Sequence, residues 1–163
     1  MKVLLITTGG TIDGADLDTG ATRPNSALQK YLEADTRFRT LVIRYCNKDS
    51  REITDEDRLQ LFELISNSDI HRILIGHGTF TICQTGQWLK SRLKNEKRVL
   101  LVGAWIPFED PDSDAATQVE FALNALTSDE AGVFVAIDGR LWDPDKTEKK
   151  EIAPGKWTMV EDA

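Results

Sequence analysis

Histidine and cysteine are scarce in this chain, and their scarcity removes several kinds of chemistry at the outset. Among 163 residues there are only 2 His, His71 and His77, and 2 Cys, Cys46 and Cys83. Neither cysteine belongs to a CxxC pair or stands near a histidine at metal-ligand spacing, so neither a zinc site nor a disulfide is expected. A Ser-His-Asp arrangement would rest on His77 alone. An excess of positive charge is also lacking. The 20 Lys and Arg stand against 27 Asp and Glu, a net charge of −7, whereas nucleic acid and anionic membranes call for a basic footprint. No apolar run approaches the roughly 20 residues of a membrane span. The first residues enter a strand at once, without the basic start, apolar core and small-residue cleavage site of a signal peptide. The expectation is a cytoplasmic protein with no nucleic-acid or membrane partner and no metal or other cofactor.

What is present is a regular alternation of strand and helix signals, at a length that fits one domain over residues 1–163. Val3–Thr7 reads as the first strand, followed by a Gly- and Asp-rich loop to about Pro24. Ser26 is placed to cap a short helix over Leu28–Leu32. Thr40–Tyr45 is the second strand, leading into the polar loop Cys46–Arg51. Thr54 then precedes Asp55, Glu56 and Asp57, acids that suit the first turn of a helix, with Leu61, Leu64 and Ile65 on its apolar face. Arg72–Ile75, Arg98–Val102 and Val133–Ile137 are further strands, separated by helices over Thr81–Leu93 and from Ala115 to Leu126. Asp138-Gly139 signals a type I′ hairpin, returning Arg140–Trp142 against the last strand. Beyond Pro144 the chain is charged and weakly patterned. The expected fold is α/β, flavodoxin-like or Rossmann-like, a mainly parallel sheet with helices on both faces.

Two segments carry the chemistry. Thr7-Thr8-Gly9-Gly10-Thr11-Ile12 and Gly76-His77-Gly78-Thr79-Phe80-Thr81 each follow an apolar strand, turn through glycine and present a threonine. Ligands of open α/β sheets bind outside the carboxyl ends of the strands, so two hydroxyls delivered there read as one composite site. The glycines also suit a phosphate cradle, but neither GxGxxG nor GxxxxGK[ST] is present, which weakens a nucleotide-binding reading. A threonine nucleophile needs a base, a lowered pKa or a polarising neighbour.

Together the segments resemble the N-terminal domain of the bacterial-type L-asparaginases, the asparaginase/glutaminase family. Thr8-Gly9-Gly10-Thr11-Ile12 is similar to the family's first catalytic segment, with Thr11 on the nucleophile. His77-Gly78-Thr79 resembles the second, with Thr79 on the second threonine. Asp49-Ser50-Arg51-Glu52 is similar to the loop that binds the substrate α-carboxylate. The stretch from Val102 to Pro107 with Ser113-Asp114 resembles the following strand and helix entry. Lys149 falls on the family's catalytic lysine. The resemblance thus implies Thr11, Thr79 and Lys149 as catalytic residues, and Gly10, Asp49, Ser50, Arg51, Gly78 and Phe80 as substrate-binding ones. It further implies a small amide or amino-acid substrate, hydrolysis through an acyl-enzyme, and a homo-oligomer.

The departures are as informative. Phe80 stands where the family has an aspartate that joins the threonine–lysine group and receives the substrate ammonium. Residues 13–30 lack the tyrosine that activates the nucleophile, Arg51 replaces a glutamine or serine, and Ile106 replaces an arginine. The family's smaller C-terminal domain has no counterpart in the expected single domain. Asp49 or Glu52 could substitute for the lost carboxylate. A second reading is therefore a catalytically impaired protein of this fold that binds a small carboxylate. Each implied role also has a structural alternative. Thr79 and Asp114 would be helix caps, His77 a buried hydrogen-bonder, and Lys149 one of the tail lysines Lys146, Lys149, Lys150 and Lys156.

Overall fold

Strands that are apolar along their whole length must be covered on both faces, and that requirement organises this molecule. The computed structural model describes residues 1–14, 26–94 and 96–161. Five strands run parallel: β1 (Lys2–Thr7), β2 (Arg39–Arg44), β3 (Arg72–Gly76), β4 (Arg98–Val102) and β5 (Gly132–Ile137). A short antiparallel strand, β6 (Arg140–Trp142), completes the sheet order β2-β1-β3-β4-β5-β6. The α/β expectation holds, and this order makes the fold flavodoxin-like rather than Rossmann-like.

Side chains alternate across a strand, so each strand feeds two cores. Val3 and Leu5 pack with Leu74, Leu100 and Ala136 beneath α1 (Ala27–Ala34) and α4 (Ala115–Ala125). Leu4 and Ile6 pack with Ile73, Ile75, Leu101 and Val135 beneath α2 (Asp55–Ser66) and α3 (Ile82–Lys90). Each fully buried Leu or Ile of this kind contributes about 1.5–3 kcal/mol. The expected helix over Thr81–Leu93 contracts to Ile82–Lys90, followed by turns still bonded to its last carbonyls through Ser91 and Leu93 N–H. The loop expected from the first strand to about Pro24 is described as far as residue 14, with a 3-10 turn over Thr11–Asp13, and its residues 15–24 lie outside the described residues.

Local signals explain the helix starts. Ser26 Oγ accepts from Gln29 N at 2.9 Å, as its position before α1 requires. Thr54 and Asp57 form a reciprocal capping box at α2, with Thr54 Oγ1 accepting from Asp57 N at 3.2 Å and Asp57 Oδ2 accepting from Thr54 N at 2.8 Å. Asp57 also receives Lys48 Nζ at 2.8 Å and Tyr45 Oη at 2.8 Å, which ties the loop after β2 to the helix. Burial alone would raise this carboxyl. The hydrogen bonds from Lys48, Thr54 and Tyr45 outweigh it and hold the group well below the usual carboxylate range. Asp138 and Gly139 adopt φ values of 56° and 69°, the left-handed pair of a type I′ turn between β5 and β6.

The segment beyond Pro144 departs from expectation. It forms an antiparallel hairpin of β7 (Thr147–Ala153) and β8 (Lys156–Glu161), separate from the main sheet. Only Thr147 on β7 and Met159 on β8 are buried, so the period-2 alternation that betrays a half-buried strand is absent. The hairpin is held at its base instead. Gln87 Nε2 on α3 donates to Pro144 O at 2.7 Å, Thr147 Oγ1 donates to Asp143 O at 2.8 Å, and Lys90 pairs with Asp143 and Asp145.

Because the capping box satisfies backbone donors without touching the cores, Thr54→Ala is expected to lower stability by about 1 kcal/mol in urea denaturation, with the far-UV circular dichroism unchanged.

Candidate active site

In this strand order the chain reverses direction across the sheet at β1 and β3, and their carboxyl ends open a crevice there. Thr8 fastens the two ends together, its Oγ1 and N–H donating to Gly76 O at 2.8 and 3.1 Å. Lys48 N–H donates to Thr8 O at 2.8 Å, which draws in the loop after β2. Gly10, at φ 80°, then starts a single 3-10 turn over Thr11–Asp13. A Cβ on Gly10 would lie 2.5 Å from Cα and N of Gly78, and a Cβ on Gly78 would lie 2.8 Å from Cβ and Oγ of Ser50. Only hydrogen fits at either position. Gly10, Gly78 and Ser50 are thus stacked in direct contact, and Thr11 and Thr79 leave adjacent glycines on the same edge of the sheet. Asp13 sits beneath, bonded by Ser26 Oγ, and its burial raises its carboxyl above the ordinary range.

Lys149 reaches this edge from the hairpin. Its Nζ donates to Thr79 Oγ1 at 2.8 Å, a contact between residues 70 apart in sequence. Its ammonium also lies 3.4 Å from the Phe80 ring centroid, 4.6 Å from that of Trp157 and 5.4 Å from that of Trp105. Burial among these groups, with repulsion from Arg51 and only partial relief from Asp49, lowers the Lys149 pKa to about 8. The tail-lysine alternative for Lys149 and the cap alternative for Thr79 both give way here. Thr81, not Thr79, precedes α3, and Thr79 is engaged by the lysine.

The remaining candidates are gathered at the same edge, with some already committed. Ser50 is 2% exposed, its carbonyl accepting Thr81 Oγ1 at 2.6 Å and its hydroxyl facing Thr81 N at 3.4 Å. Asp49 and Arg51 face each other in a fork, with Nε to Oδ1 at 3.0 Å and Nη2 to Oδ2 at 2.6 Å. This fork holds Asp49 below its ordinary pKa, so Asp49 does not stand as a spare carboxylate where Phe80 lies. Phe80 is 40% exposed, with the Arg51 guanidinium 4.5 Å from its ring centroid. Glu52 is exposed at the end of the same turn.

His77 is fully buried, and burial lowers its pKa to about 4. Its Nδ1 faces Gly78 O at 2.8 Å and its Nε2 faces Thr85 Oγ1 at 3.0 Å, with Arg58 Nε donating to Thr85 Oγ1 at 3.2 Å. A carbonyl can only accept, so Nδ1 carries the proton and Nε2 accepts from Thr85. The ring is a neutral strut under the Gly78–Thr79 peptide. Asp114 precedes α4 without making a side-chain cap. Its carboxylate accepts from the N–H groups of Trp105 at 3.1 Å and Ile106 at 2.9 Å, holding the loop after β4. Cys46 lies nearby, but burial pushes its thiol up to about 11, away from nucleophilic use. Among the described residues no group of three or more His, Cys, Asp or Glu is placed to hold a metal ion, and no helix is long and apolar enough to cross a membrane.

Trp105 and Trp157 are the neighbours of Lys149 that sequence reasoning overlooked. Pro154-Gly155 was the available signal. A turn there pairs Trp157 with Glu151 across the hairpin, one pleat from the lysine.

Comparison with known proteins gives a consistent picture. Residues 2–153 match the family model described as asparaginase, N-terminal. The L-asparaginase of Thermococcus kodakarensis is 30% identical over 152 residues, covering 83% of this chain and 44% of the relative. A glutamyl-tRNA(Gln) amidotransferase subunit of Methanococcus maripaludis is 28% identical over 151 residues, covering 87% of this chain and 36% of its own length. The solved structure of the thermostable T. kodakarensis L-asparaginase superposes with a TM-score of 0.80 at 25% identity, over 98% of this chain and 51% of that one. The chain therefore spans about half the length, or less, of these relatives.

The stacked glycines make a distinct prediction. Gly10→Ala combines a left-handed φ with a backbone clash, and is expected to cost about 3 kcal/mol or more. Gly139→Ala has a similar φ of 69° but nothing within 4 Å of the added carbon. It is expected to cost about 1 kcal/mol. Urea denaturation of the two variants side by side measures the difference.

Proposed function

From a chain that belongs to the asparaginase family through its N-terminal domain, we propose that residues 1–163 form one domain with asparaginase-like amidohydrolase activity on a small amide or amino-acid substrate. Thr11 is the nucleophile. Its Oγ attacks the amide carbon, forming the acyl C–O bond, and the proton it releases passes to the Thr79–Lys149 pair. Thr79 and the N–H groups of the glycine turns stabilise the oxyanion. Collapse breaks the C–N bond, the proton leaves with ammonia, and water then hydrolyses the ester. Gly10 and Gly78 supply close backbone approach, while Asp49, Ser50, Arg51 and Phe80 form the wall against which the rest of the substrate lies. The reading includes a homo-oligomer, a cytoplasmic setting, no cofactor, and no nucleic-acid or membrane partner.

The observation that carries this reading is the 2.8 Å hydrogen bond from Lys149 Nζ to Thr79 Oγ1. A half-buried ammonium with a pKa of about 8, bonded to a threonine on the sheet edge where Thr11 emerges, is an arrangement with little purpose in a solvated tail. It supplies a base near neutral pH.

Ammonia release from a panel of small amides tests the proposal. Thr11→Ala is expected to lose roughly 1,000-fold or more in kcat while stability falls by no more than about 1 kcal/mol, and Thr11→Ser to retain part of the activity because it keeps the attacking oxygen. If the parent releases ammonia from none of the panel, the carboxylate-binding reading replaces the enzymatic one.

The pH profile supplies an independent check. Lys149 serves as a base only when neutral, so kcat is expected to rise with pH through an inflection near 8, set by the folded-state pKa. Lys149→Met is expected to remove that limb along with most of the activity.

A further inference from the structure

The wall around Lys149 has a definite charge and shape. Two cations, the Lys149 ammonium and the Arg51 guanidinium, lie 3.4 and 4.5 Å from the centroid of the single Phe80 ring. Trp157 meets that ring edge-on, with centroids 5.6 Å apart and planes at 72°. Aromatic faces attract cations, but here that capacity is already used by the protein's own groups. The carboxylates bonded into this rim are likewise engaged. Asp49 gives both oxygens to Arg51. Asp114 accepts from the Trp105 and Ile106 N–H groups and from Gln118 Nε2. Asp138 accepts from Trp105 Nε1 at 2.9 Å and Gln118 Nε2 at 3.0 Å.

A substrate ammonium entering beside Thr79 would meet the Arg51 guanidinium, with Asp49, Asp114 and Asp138 already bonded and Glu52 exposed at the end of the Arg51 turn. Like charges at such separations repel measurably even near a protein surface. A substrate carboxylate meets the opposite situation. Arg51 Nη1 is not used by Asp49, and the guanidinium keeps its charge when Lys149 is neutral, the form in which Lys149 acts as the base. Phe80 and Trp157 offer an apolar surface to a short methylene chain.

Resting on the reading of Thr11, Thr79 and Lys149 as an amide-hydrolysing site, we infer that the site takes amides bearing a carboxylate but no free α-ammonium group. Its substrate class is the monoamide of a simple dicarboxylic acid, such as succinamate, and α-amino acid amides such as L-asparagine are discriminated against. Phe80 is the specificity-determining residue. Its ring occupies the space beside Lys149 in which a carboxylate would have to stand to receive an ammonium, and it places apolar surface there instead.

Calorimetric titration of the Thr11→Ala chain with succinamate and with L-asparagine separates binding from turnover. Succinamate is expected to bind at least tenfold more tightly. Adding Phe80→Asp in the same background is expected to cut that ratio below threefold or invert it. Phe80→Ala, which removes the ring without adding a carboxylate, is expected to leave succinamate preferred. Asparagine binding as tightly as succinamate, binding of neither ligand, or an unchanged ratio in Phe80→Asp would each overturn the inference. If succinamate binds preferentially but the parent chain releases no ammonia from it, the ligand preference stands and the amidohydrolase reading fails. The two claims therefore fail by different results.

Discussion

The contact between Gly10 and Gly78 is the constraint on which the rest of the site depends. Two parallel strands, β1 and β3, end side by side, and the loops that follow them would diverge if Gly10 carried a side chain. A Cβ on Gly10 would fall 2.5 Å from the Gly78 backbone, so the loops meet main chain to main chain. Everything else follows from that closeness. Ser50 packs on the far side of Gly78, His77 braces the same peptide from below through Thr85 and Arg58, and the two threonines emerge on one edge. The energetic support is remote from the chemistry. It lies in the two apolar cores that clamp the strands from both faces and fix where each strand ends.

Lys149 enters by a different route. It belongs to a hairpin outside the main sheet, and its position depends on how that hairpin is pinned to α3 through Pro144, Asp143 and Thr147. Pinning at the base leaves the strands largely exposed, yet aims one side chain at Thr79 and seats it among Phe80, Trp105 and Trp157. Burial there does to the ammonium what a hydrophobic pocket does to any lysine: the neutral form becomes accessible near physiological pH. Lys150, the next residue along the strand, points to the opposite face of the hairpin and away from that pocket.

Membership of the asparaginase family sets the frame. The relatives are longer, and this chain covers 44% of one L-asparaginase and 36% of one amidotransferase subunit. The same domain thus occurs in proteins that carry different named activities. In this chain the rim is aromatic and cationic, with Asp49 neutralised by Arg51. That charge pattern belongs to the local environment of Phe80.

The fold was legible in the sequence because its strands are buried on both faces, and runs such as Val3–Ile6 and Leu100–Val102 read as nothing else when set between amphipathic helices. The capping residues Ser26 and Thr54 and the Asp138-Gly139 turn were legible for the same reason: each acts through its own backbone neighbours. The glycine–threonine segments could be assigned to strand ends on local grounds, and parallel topology then put them on one edge. The hairpin of residues 147–161 was hidden, since its few buried side chains leave no periodic trace. Sequence alone therefore determined which strands and helices of the main sheet form and which residues close them. Only the tertiary structure decided that Lys149 bonds Thr79, that Arg51 spends its fork on Asp49, and that Trp105 and Trp157 complete the wall. The contacts of Lys149 with Thr79 and Trp105 join residues far apart along the chain, and there long-range packing, not local propensity, sets the distances.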